Sequence, residues 1–575
     1  MSDILKGVRP YSNEALRRYT ENGAWLNLTY GDLLDRAVAR NPDRMAVIDD
    51  STRLSYRELK DRVDRFATAL MDLGVKPHDR LVLQFPNRHE FVVSFYAMHR
   101  IGAVPVLAIS RHAHQELSSF FRLTEPVAWI GPVRDGKIEF EPFVSRLRSE
   151  FPFLKHVIWV GDEAGIPPYG RSMKGLIDGV RPDPGIDARL KPFRPDPNDV
   201  AVLIPTGGTT GLPKMVPRTH NSLIVTNRYI SQTSAAPDAI LLQATPVGHA
   251  MAMQGAVNCA VFLGVTLVLQ GLPRPTEAME TIQREKITSA FMVPTQLEGI
   301  IHHPDLEKYD LRSLRIVGTA GAGLPVDVAQ KAMDYFGRFG CKFSGNALGA
   351  SEGLLAMSDL DDPLDVKMKT VGRNVTPGSH YKVVDSDEGE LPRGVEGELV
   401  AKGPEVFTGY YKTTEEENKE VFTRDGYYRT GDLARIDERG IITITGRRKD
   451  VIMRGGETLV PSEMEQLIRM HPSVERVAVI GMPDEKMGER TCACVVLRPE
   501  KHLSFDEMIA FLKNQGAGVL LLPERLELVS TLPETGVGKI DKKALRKDIE
   551  GKPRKGGSLT GREQEPGGPV NNGNE

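Results

Sequence analysis

The sequence has little of several features that would point to a specialised class of protein. Its 575 residues include only 4 cysteines, and its formal net charge is -3 with a pI near 6.5. Few and scattered cysteines predict reduced thiols rather than a disulfide framework or a metal site. The small net charge gives no electrostatic reason to expect nucleic acid or an anionic membrane as the main partner. We therefore expect the partners to be small molecules.

Long hydrophobic runs are also missing. The most apolar stretch, residues 256–269, is interrupted by Asn258 and is shorter than the ~20 residues that a spanning helix needs. It is therefore predicted to lie in a buried core. The N-terminal residues show no basic stretch followed by an apolar segment, so we expect no export signal and a cytoplasmic location. Cys492 and Cys494 alternate within an apolar run, which predicts two thiols on one buried face of a strand.

The chain does contain a regular alternation of helical and strand patterns. It is longer than the roughly 250–300 residues at which a single core stops growing, so at least two domains are expected. Over residues 28–445, helix-like repeats alternate with short β-branched runs, as where the strand pattern before Ser55 gives way to a helix that ends near Gly74. This alternation predicts an α/β fold with largely parallel strands, and residues 389–445 are predicted to form a β-rich subdomain.

A second pattern begins after the sequence GRRKD. It is a small α+β pattern in which Pro461 opens a helix and Ser504 with Glu507 forms a capping box before another helix. The end of the chain is rich in glycine, proline and asparagine and has almost nothing apolar. We predict a large N-terminal domain over residues 1–447, a small mobile C-terminal domain over residues 448–550, and a disordered tail over residues 551–575.

The sharpest local feature is a loop rich in glycine and threonine that follows an apolar strand at residues 200–204. Glycines let backbone N–H groups approach phosphate oxygens, hydroxyls add donors, and a lysine adds a positive point charge. The loop is not the GxxxxGK[ST] loop of nucleoside triphosphatases, because Lys214 follows Pro213 and precedes Met215. The candidate phosphate-binding residues are Thr206, Gly207, Gly208, Thr209, Thr210, Gly211 and Lys214.

This loop resembles the phosphate-binding signature of the adenylate-forming superfamily, which includes acyl- and aryl-CoA synthetases, carrier-loading adenylation domains and beetle luciferases. The loop, the run Pro217-Arg-Thr-His-Asn221 and a lysine after GRR resemble most the branch that adenylates 2,3-dihydroxybenzoate and salicylate. Four further motifs follow in the order typical of the superfamily. They are Asn346-Ala-Leu-Gly-Ala-Ser351-Glu352, Tyr428-Arg-Thr-Gly-Asp432, Gly446-Arg447-Arg-Lys449-Asp450 and Pro533-Glu-Thr-Gly-Val-Gly-Lys539.

The resemblance implies an enzyme that uses ATP and Mg²⁺ to convert a carboxylic acid to an acyl-AMP and then passes the acyl group to a thiol. It implies that Lys539 bridges the carboxylate and the α-phosphate and that Glu352 carries Mg²⁺. It also implies that Asp432 accepts hydrogen bonds from the ribose hydroxyls and that Arg447 lies at the ribose and phosphate. By the same resemblance Lys449 is the pivot of a domain rotation, Gly455 and Gly456 line the thiol channel, and Gly321, Asn346 and Ser351 complete the nucleotide site.

The acid-binding segment departs from that branch. There an asparagine that contacts an ortho hydroxyl follows the pocket histidine, whereas here Ala250 follows His249. Without that partner, burying an ortho hydroxyl would cost about 1–3 kcal/mol. Ala250 and Met253, together with Gly323, therefore predict an apolar pocket that favours cyclohexanecarboxylate, cyclohexenecarboxylate or benzoate. In the alternative interpretation, Met251 and Met253 are core residues and the pocket is formed elsewhere.

The acceptor thiol is expected to belong to a separate molecule, because no carrier-domain pattern follows Lys539. We expect free CoA, and thus an AMP-forming carboxylic acid:CoA ligase such as a cyclohexanecarboxylate:CoA ligase. The alternative is a free-standing adenylation enzyme that loads an aryl acid onto a carrier protein. An inactive nucleotide-binding regulator is disfavoured, because Glu352, Asp432 and Lys539 are all present. A motor or switch NTPase would release phosphate instead of pyrophosphate.

Overall fold

The structure, a computed structural model, describes residues 4–206, 214–234, 236–271, 274–319, 326–448, 450, 452–454, 457–459, 461–484, 487–515, 517, 521–534 and 540–550. The chain divides into two compact units. The large unit holds residues 1–394, 400–430 and 436–443, and the small unit holds residues 395–399, 431–435 and 444–575. A large α/β unit and a small α+β unit confirm the predicted fold class.

Two seven-stranded sheets organise the large unit. In the first sheet the strands pair in parallel except at one edge, where Met45–Ile48 pairs antiparallel with Arg53–Ser55. Parallel strands are covered on both faces, which explains their nearly continuous apolar sequences. The strands follow the order Lys342–Phe343, Ile316–Thr319, Ser289–Met292, Ile240–Gln243, Thr266–Leu269, Met45–Ile48 and Arg53–Ser55.

The second sheet carries the predicted phosphate loop at one edge. Its strands are also parallel except for the edge strand Lys214–Thr219, which runs antiparallel to its neighbour Val200–Thr206. The loop therefore joins two paired strands, and the following helix begins only at His220. The order is Lys214–Thr219, Val200–Thr206, Val104–Ile109, Arg80–Phe85, Ala128–Pro132, His156–Val160 and Arg171–Ser172.

Helices of the large unit connect these strands, and their ends follow ordinary capping chemistry. Ser55 caps the helix Tyr56–Asp72 in a capping box with Glu58, and Gly74 follows the helix with φ +87°, as predicted. The helices are Asn13–Glu21, Tyr30–Arg40, Tyr56–Asp72, His89–Arg100, His114–Thr124, Glu141–Glu150, Met173–Gly179, Ile186–Leu190, His220–Ser234, Ala250–Ala252, Cys259–Leu263, Pro275–Glu285, Pro294–Ile301, Val326–Gly337, Leu364–Lys369 and Glu415–Val421.

The most apolar stretch of the chain forms core elements. It contributes the helix Cys259–Leu263 and the strand Thr266–Leu269, and Cys259 and Val265 are fully buried. No helix among the described residues is long and apolar enough to cross a membrane. The prediction of a buried core segment is therefore confirmed.

The β-rich segment also contains a helix. Smaller antiparallel sheets are formed by Ala347–Gly349 with Leu355–Met357 and Arg373–Asn374, and by Arg134–Asp135 with Ile138–Glu139. The helix Glu415–Val421 interrupts the predicted β-rich segment, because Thr414 and Glu417 form a capping box. Most strands of the β-rich segment belong to a four-stranded sheet. Its strands follow the order His380–Val384, Gly397–Lys402, Tyr428–Ile436 and Ile442–Arg447.

Among its described residues, the small unit contains a five-stranded sheet and three α-helices. Its two longest strands, Val474–Asp484 and Gly488–Leu497, pair antiparallel and place Cys492 and Cys494 in one buried cluster, as predicted. Ser504 and Glu507 form the predicted capping box. The remaining strands are Ile452–Arg454, Glu457–Leu459 and Arg525–Leu528, and the helices are Pro461–Arg469, Phe505–Asn514 and Lys542–Glu550.

A carboxyl group is buried in the core of the large unit, and it has no salt-bridge partner among the described residues. Glu405 is fully buried and accepts a hydrogen bond from the Ser379 hydroxyl. Burial raises the pKa of Glu405 from 4.5 to about 7. Because the folded protein holds this proton more tightly than the unfolded chain, the carboxyl contributes stability that is fully present below about pH 4.5 and is lost as the pH rises to about 7.

We predict that Glu405→Gln removes this pH dependence. Between pH 5.5 and pH 8 the wild-type protein should lose about 2 kcal/mol of unfolding free energy through this group. The neutral amide should not show that loss, so the variant should gain stability relative to wild type at pH 8. Chemical denaturation of both proteins across this range measures the difference, and equal pH slopes would contradict the prediction.

Candidate active site

The ends of two paired strands hold the described part of the phosphate loop. Thr206 ends one strand and Lys214 begins the next, and the two residues lie opposite each other in the antiparallel register. The Thr206 hydroxyl donates a hydrogen bond to the Lys214 carbonyl, with an oxygen–oxygen distance of 3.4 Å. The strand pair therefore fixes both ends of the loop. Five predicted phosphate ligands lie outside the described residues, namely Gly207, Gly208, Thr209, Thr210 and Gly211.

The side chain of Lys214 contacts an aromatic ring. It is exposed, and its Nζ lies 4.8 Å from the centroid of the Tyr410 ring. An ammonium at this distance from a tyrosine face is attracted by the negative side of the ring quadrupole. The ring therefore holds the ammonium without neutralising its charge.

The predicted metal carboxylate contacts the same tyrosine. Glu352 is 8% exposed, and its Oε1 accepts a hydrogen bond of 2.8 Å from the Tyr410 hydroxyl. Burial and the nearby Glu352 carboxylate raise the pKa of Tyr410 far above its usual range, so the hydroxyl keeps its proton and acts as the donor. Tyr410 thus contacts Glu352 through its hydroxyl and Lys214 through its ring face.

The loop that carries Glu352 is fixed by buried backbone contacts. Nη1 of the fully buried Arg218 donates a 2.8 Å hydrogen bond to the Ser351 carbonyl, and the Phe407 N–H donates one of 2.8 Å to the Glu352 carbonyl. Gly353 has φ +111°, and a Cβ there would lie 1.9 Å from the Glu405 carbonyl oxygen. Only glycine fits this position, because both the backbone conformation and the close approach exclude a side chain.

The carboxylate of Glu352 is suited to bind Mg²⁺. Among the residues that the structure describes, Tyr410 is the hydrogen-bond donor to this carboxylate, and it uses Oε1. A cation held by Glu352 would bind at the other carboxylate oxygen, Oε2. Mg²⁺ is typically bound by one or two carboxylates together with the phosphates of the nucleotide rather than by a complete protein cage. A bound Mg²⁺ would neutralise phosphate charge at this place.

The predicted nucleotide residue Asn346 begins the sequence motif that ends at Glu352. Its Nδ2 donates a 3.1 Å hydrogen bond to the Met368 carbonyl, which orients the amide. Leu348 follows in the strand Ala347–Gly349 and is half-buried. Gly321 and Gly323, predicted at the nucleotide and the acid, lie outside the described residues.

The predicted acid-binding residues begin a short helix. His249 is its N-cap, with Nδ1 accepting a 3.4 Å hydrogen bond from the Met251 N–H, and Ala250 is buried. Met253 is also fully buried, and its Sδ accepts a hydrogen bond from Asn258. In the alternative interpretation Met251 and Met253 are both core residues and the pocket is formed elsewhere. Met253 is a core residue, whereas Met251 is half-buried.

The sequence did not predict that a π-helix follows this short helix. It spans Met253–Asn258, and such turns occur frequently at functional sites. A Cβ built on Gly255 within it would meet no atom within 4 Å. Burial lowers the pKa of His112 to about 4; among the smaller effects, Glu116 raises this pKa and His249 lowers it. The His112 imidazole is therefore neutral at physiological pH.

Two predicted nucleotide ligands meet in the small unit. Asp432 is 5% exposed in the strand Tyr428–Ile436, and its Oδ1 lies 2.9 Å from Nε of Arg447, whose side chain is largely exposed. The pair places a carboxylate with two acceptor oxygens beside a guanidinium that has further donors, a combination able to bind hydroxyl and phosphate groups. The other residues predicted in this part of the chain lie outside the described residues, namely Lys449, Gly455, Gly456 and Lys539.

Comparison with known proteins gives matches over almost the whole chain. The AMP-binding enzyme family matches residues 34–411, and the AMP-binding enzyme C-terminal domain matches residues 463–539. A 2,3-dihydroxybenzoate-AMP ligase from Bacillus subtilis is 34% identical over 96% of this chain and 99% of its own.

Two further relatives act on salicylate by name. A salicylyl-CoA synthase / salicylate adenylyltransferase from a Streptomyces species is 34% identical, over 95% of this chain and 98% of its own. A salicyl-AMP ligase / salicyl-S-ArCP synthetase from Mycobacterium tuberculosis is 32% identical, over 95% of both chains. The chain therefore belongs to the AMP-binding, adenylate-forming enzyme family.

Proposed function

We propose that the protein uses ATP to activate an aromatic carboxylic acid as its acyl-AMP and then loads the acyl group onto the thiol of a carrier protein. The observation that carries this proposal is the similarity, over at least 95% of the chain, to relatives named for 2,3-dihydroxybenzoate and salicylate. One of these relatives is named for a thioester on ArCP, a carrier protein. We therefore favour an aromatic acid as substrate and a carrier protein as acceptor, in place of the alicyclic acid and CoA expected from the sequence motifs.

The described residues suit the first step. A carboxylate oxygen attacks the α-phosphorus, the bond from this phosphorus to the bridging oxygen breaks, and pyrophosphate leaves. Because both reactants are anions, the step needs fixed positive charge and hydrogen-bond donors. Lys214 supplies an ammonium, Glu352 would hold Mg²⁺, and Asp432 with Arg447 would bind the ribose and phosphate. We propose that Lys539 completes this set at the carboxylate and α-phosphate.

In the second step the thiol sulfur attacks the acyl carbon, and AMP leaves with the oxygen that came from the acid. We propose that a domain over residues 448–550 moves about Lys449 between the two steps, and that Gly455 and Gly456 leave width for a pantetheine arm. CoA carries the same arm, and one relative is named a CoA synthase. Free CoA is therefore the second candidate acceptor.

The acceptor can be identified by product analysis. The purified protein is given ATP, Mg²⁺ and one acid from a panel of benzoate, salicylate, 2,3-dihydroxybenzoate, cyclohexanecarboxylate and a medium-chain fatty acid. Pyrophosphate release is then compared without acceptor, with CoA and with a pantetheinylated aryl carrier protein, and thioesters are detected by mass spectrometry. We expect an aryl thioester on the carrier. Thioester on CoA alone would select the second candidate, and ADP in place of AMP would reject the proposed chemistry.

Lys539→Ala should separate the two half-reactions. Losing a charge that acts mainly in the transition state should slow ATP–pyrophosphate exchange about a hundred- to a thousandfold. Thioester formation from pre-made acyl-AMP should survive, because no pyrophosphate is displaced in that step. Lys543→Ala, which removes an exposed lysine that follows soon after Lys539 in the sequence, is the matched control and should leave both rates unchanged. Equal loss of both half-reactions in Lys539→Ala would contradict the assigned role.

The acid preference should change at Ala250. Ala250→Asn introduces a hydrogen-bond partner at the position that follows His249. The ratio of kcat/KM for salicylate to kcat/KM for benzoate should therefore rise about tenfold. Ala250→Val adds volume without a donor and is the control, which should lower the use of both acids. An unchanged ratio in Ala250→Asn would show that this residue does not contact the ortho position.

A further inference from the structure

One tyrosine contacts two groups of opposite charge in the large unit. The Tyr410 hydroxyl donates a 2.8 Å hydrogen bond to Oε1 of Glu352, and the Tyr410 ring lies 4.8 Å from Nζ of Lys214. The carboxylate therefore meets the edge of the side chain and the ammonium meets its face. The sequence motifs predict functions for the lysine and the glutamate but none for the tyrosine.

The tyrosine is itself held in place. Its ring packs edge to face on Phe407, with centroids 5.0 Å apart, and its carbonyl accepts a 2.8 Å hydrogen bond from the Thr413 hydroxyl. The Phe407 N–H also bonds to the carbonyl of Glu352. One short segment thus fixes both the backbone and the carboxylate of the glutamate, so the ring cannot move independently of the group that it contacts.

Opposite charges that share so small a region are attracted to each other. A direct ion pair would use the ammonium that the phosphates of ATP need and the carboxylate oxygen that a divalent cation needs. Tyr410 instead makes one hydrogen bond to the carboxylate and one ring contact to the ammonium. Both contacts are weaker than an ion pair, so each group keeps most of its charge for interaction with the ligand.

We propose that Tyr410 is a positioning residue that keeps the Glu352 carboxylate and the Lys214 ammonium apart, so that the carboxylate remains available to a divalent cation and the ammonium to the phosphates of ATP. This role rests on the proposed ATP-dependent function. Tyr410 does not enter the reaction, and it acts through the two groups that it contacts.

Nucleotide binding by calorimetry tests the role without turnover. ATP is titrated into wild type, Tyr410→Phe, Tyr410→Leu and Tyr411→Phe, once with EDTA and once with excess Mg²⁺. Tyr410→Phe keeps the ring, so binding of metal-free ATP should stay within about twofold, whereas the gain in affinity from Mg²⁺ should shrink about tenfold for the lost bond to a charged group. Tyr410→Leu removes both contacts and should weaken ATP binding under both conditions.

A rescue variant separates this role from a general loss of structure. In Tyr410→Leu, the freed carboxylate is expected to pair with the ammonium of Lys214. Adding Glu352→Gln removes the negative charge, so the double variant should recover metal-free ATP affinity to the level of Glu352→Gln alone. Damage to folding would not be repaired in this way, and thermal unfolding midpoints without nucleotide should agree among the variants.

The matched control is Tyr411→Phe, which removes a hydroxyl from the adjacent buried tyrosine and should bind ATP as wild type does under both conditions. An unchanged or larger Mg²⁺ effect in Tyr410→Phe, or failure of Glu352→Gln to rescue Tyr410→Leu, would overturn the role of Tyr410. A wild-type protein that binds ATP but forms no acyl-AMP would instead reject the proposed function. These two failures are therefore distinguishable.

Discussion

The separation of opposite charges is the constraint on which the candidate site depends. Adenylation brings a carboxylate to a polyphosphate, so the protein must offer cationic groups and a metal carboxylate within one small volume. Such groups neutralise each other unless rigid structure prevents it. Here the Tyr410 side chain contacts both Lys214 and Glu352, and neither charge is consumed by an internal ion pair with the other.

That separation requires a rigid support. Ser351 is held through its carbonyl by Arg218, a fully buried residue whose guanidinium also bonds to the Ser222 hydroxyl and carbonyl. Gly353 lets the backbone pass against Glu405, whose carboxyl is buried and has a pKa raised to about 7. This close approach of the backbone fixes the turn that carries Glu352 against the buried segment at Glu405.

Local patterns predicted much of the fold and only part of the site. The capping box at Ser504, the change from strand to helix at Ser55 and the alternation of apolar residues depend on neighbours in sequence, so these elements and the fold class could be inferred directly. Tyr410 was not predicted, because its contact to Glu352 joins residues 58 positions apart. The π-helix at Met253–Asn258 was missed for a different reason, since its extra residue per turn leaves no pattern that propensity can detect.

The residues proposed for activation chemistry and those proposed for acid choice lie on different elements of the chain. Of the groups proposed to bind ATP, Lys214 begins a strand, Glu352 lies in a turn, and Asp432 and Arg447 lie in two further strands. His249 and Ala250, the residues proposed to bind the acid, begin a short helix that continues into a π-helix with open space at Gly255. If the proposed roles hold, substitutions in the π-helix would change which acid is accepted and leave the groups proposed for ATP in place. Such a separation would let members of one family share a chemistry and differ in substrate.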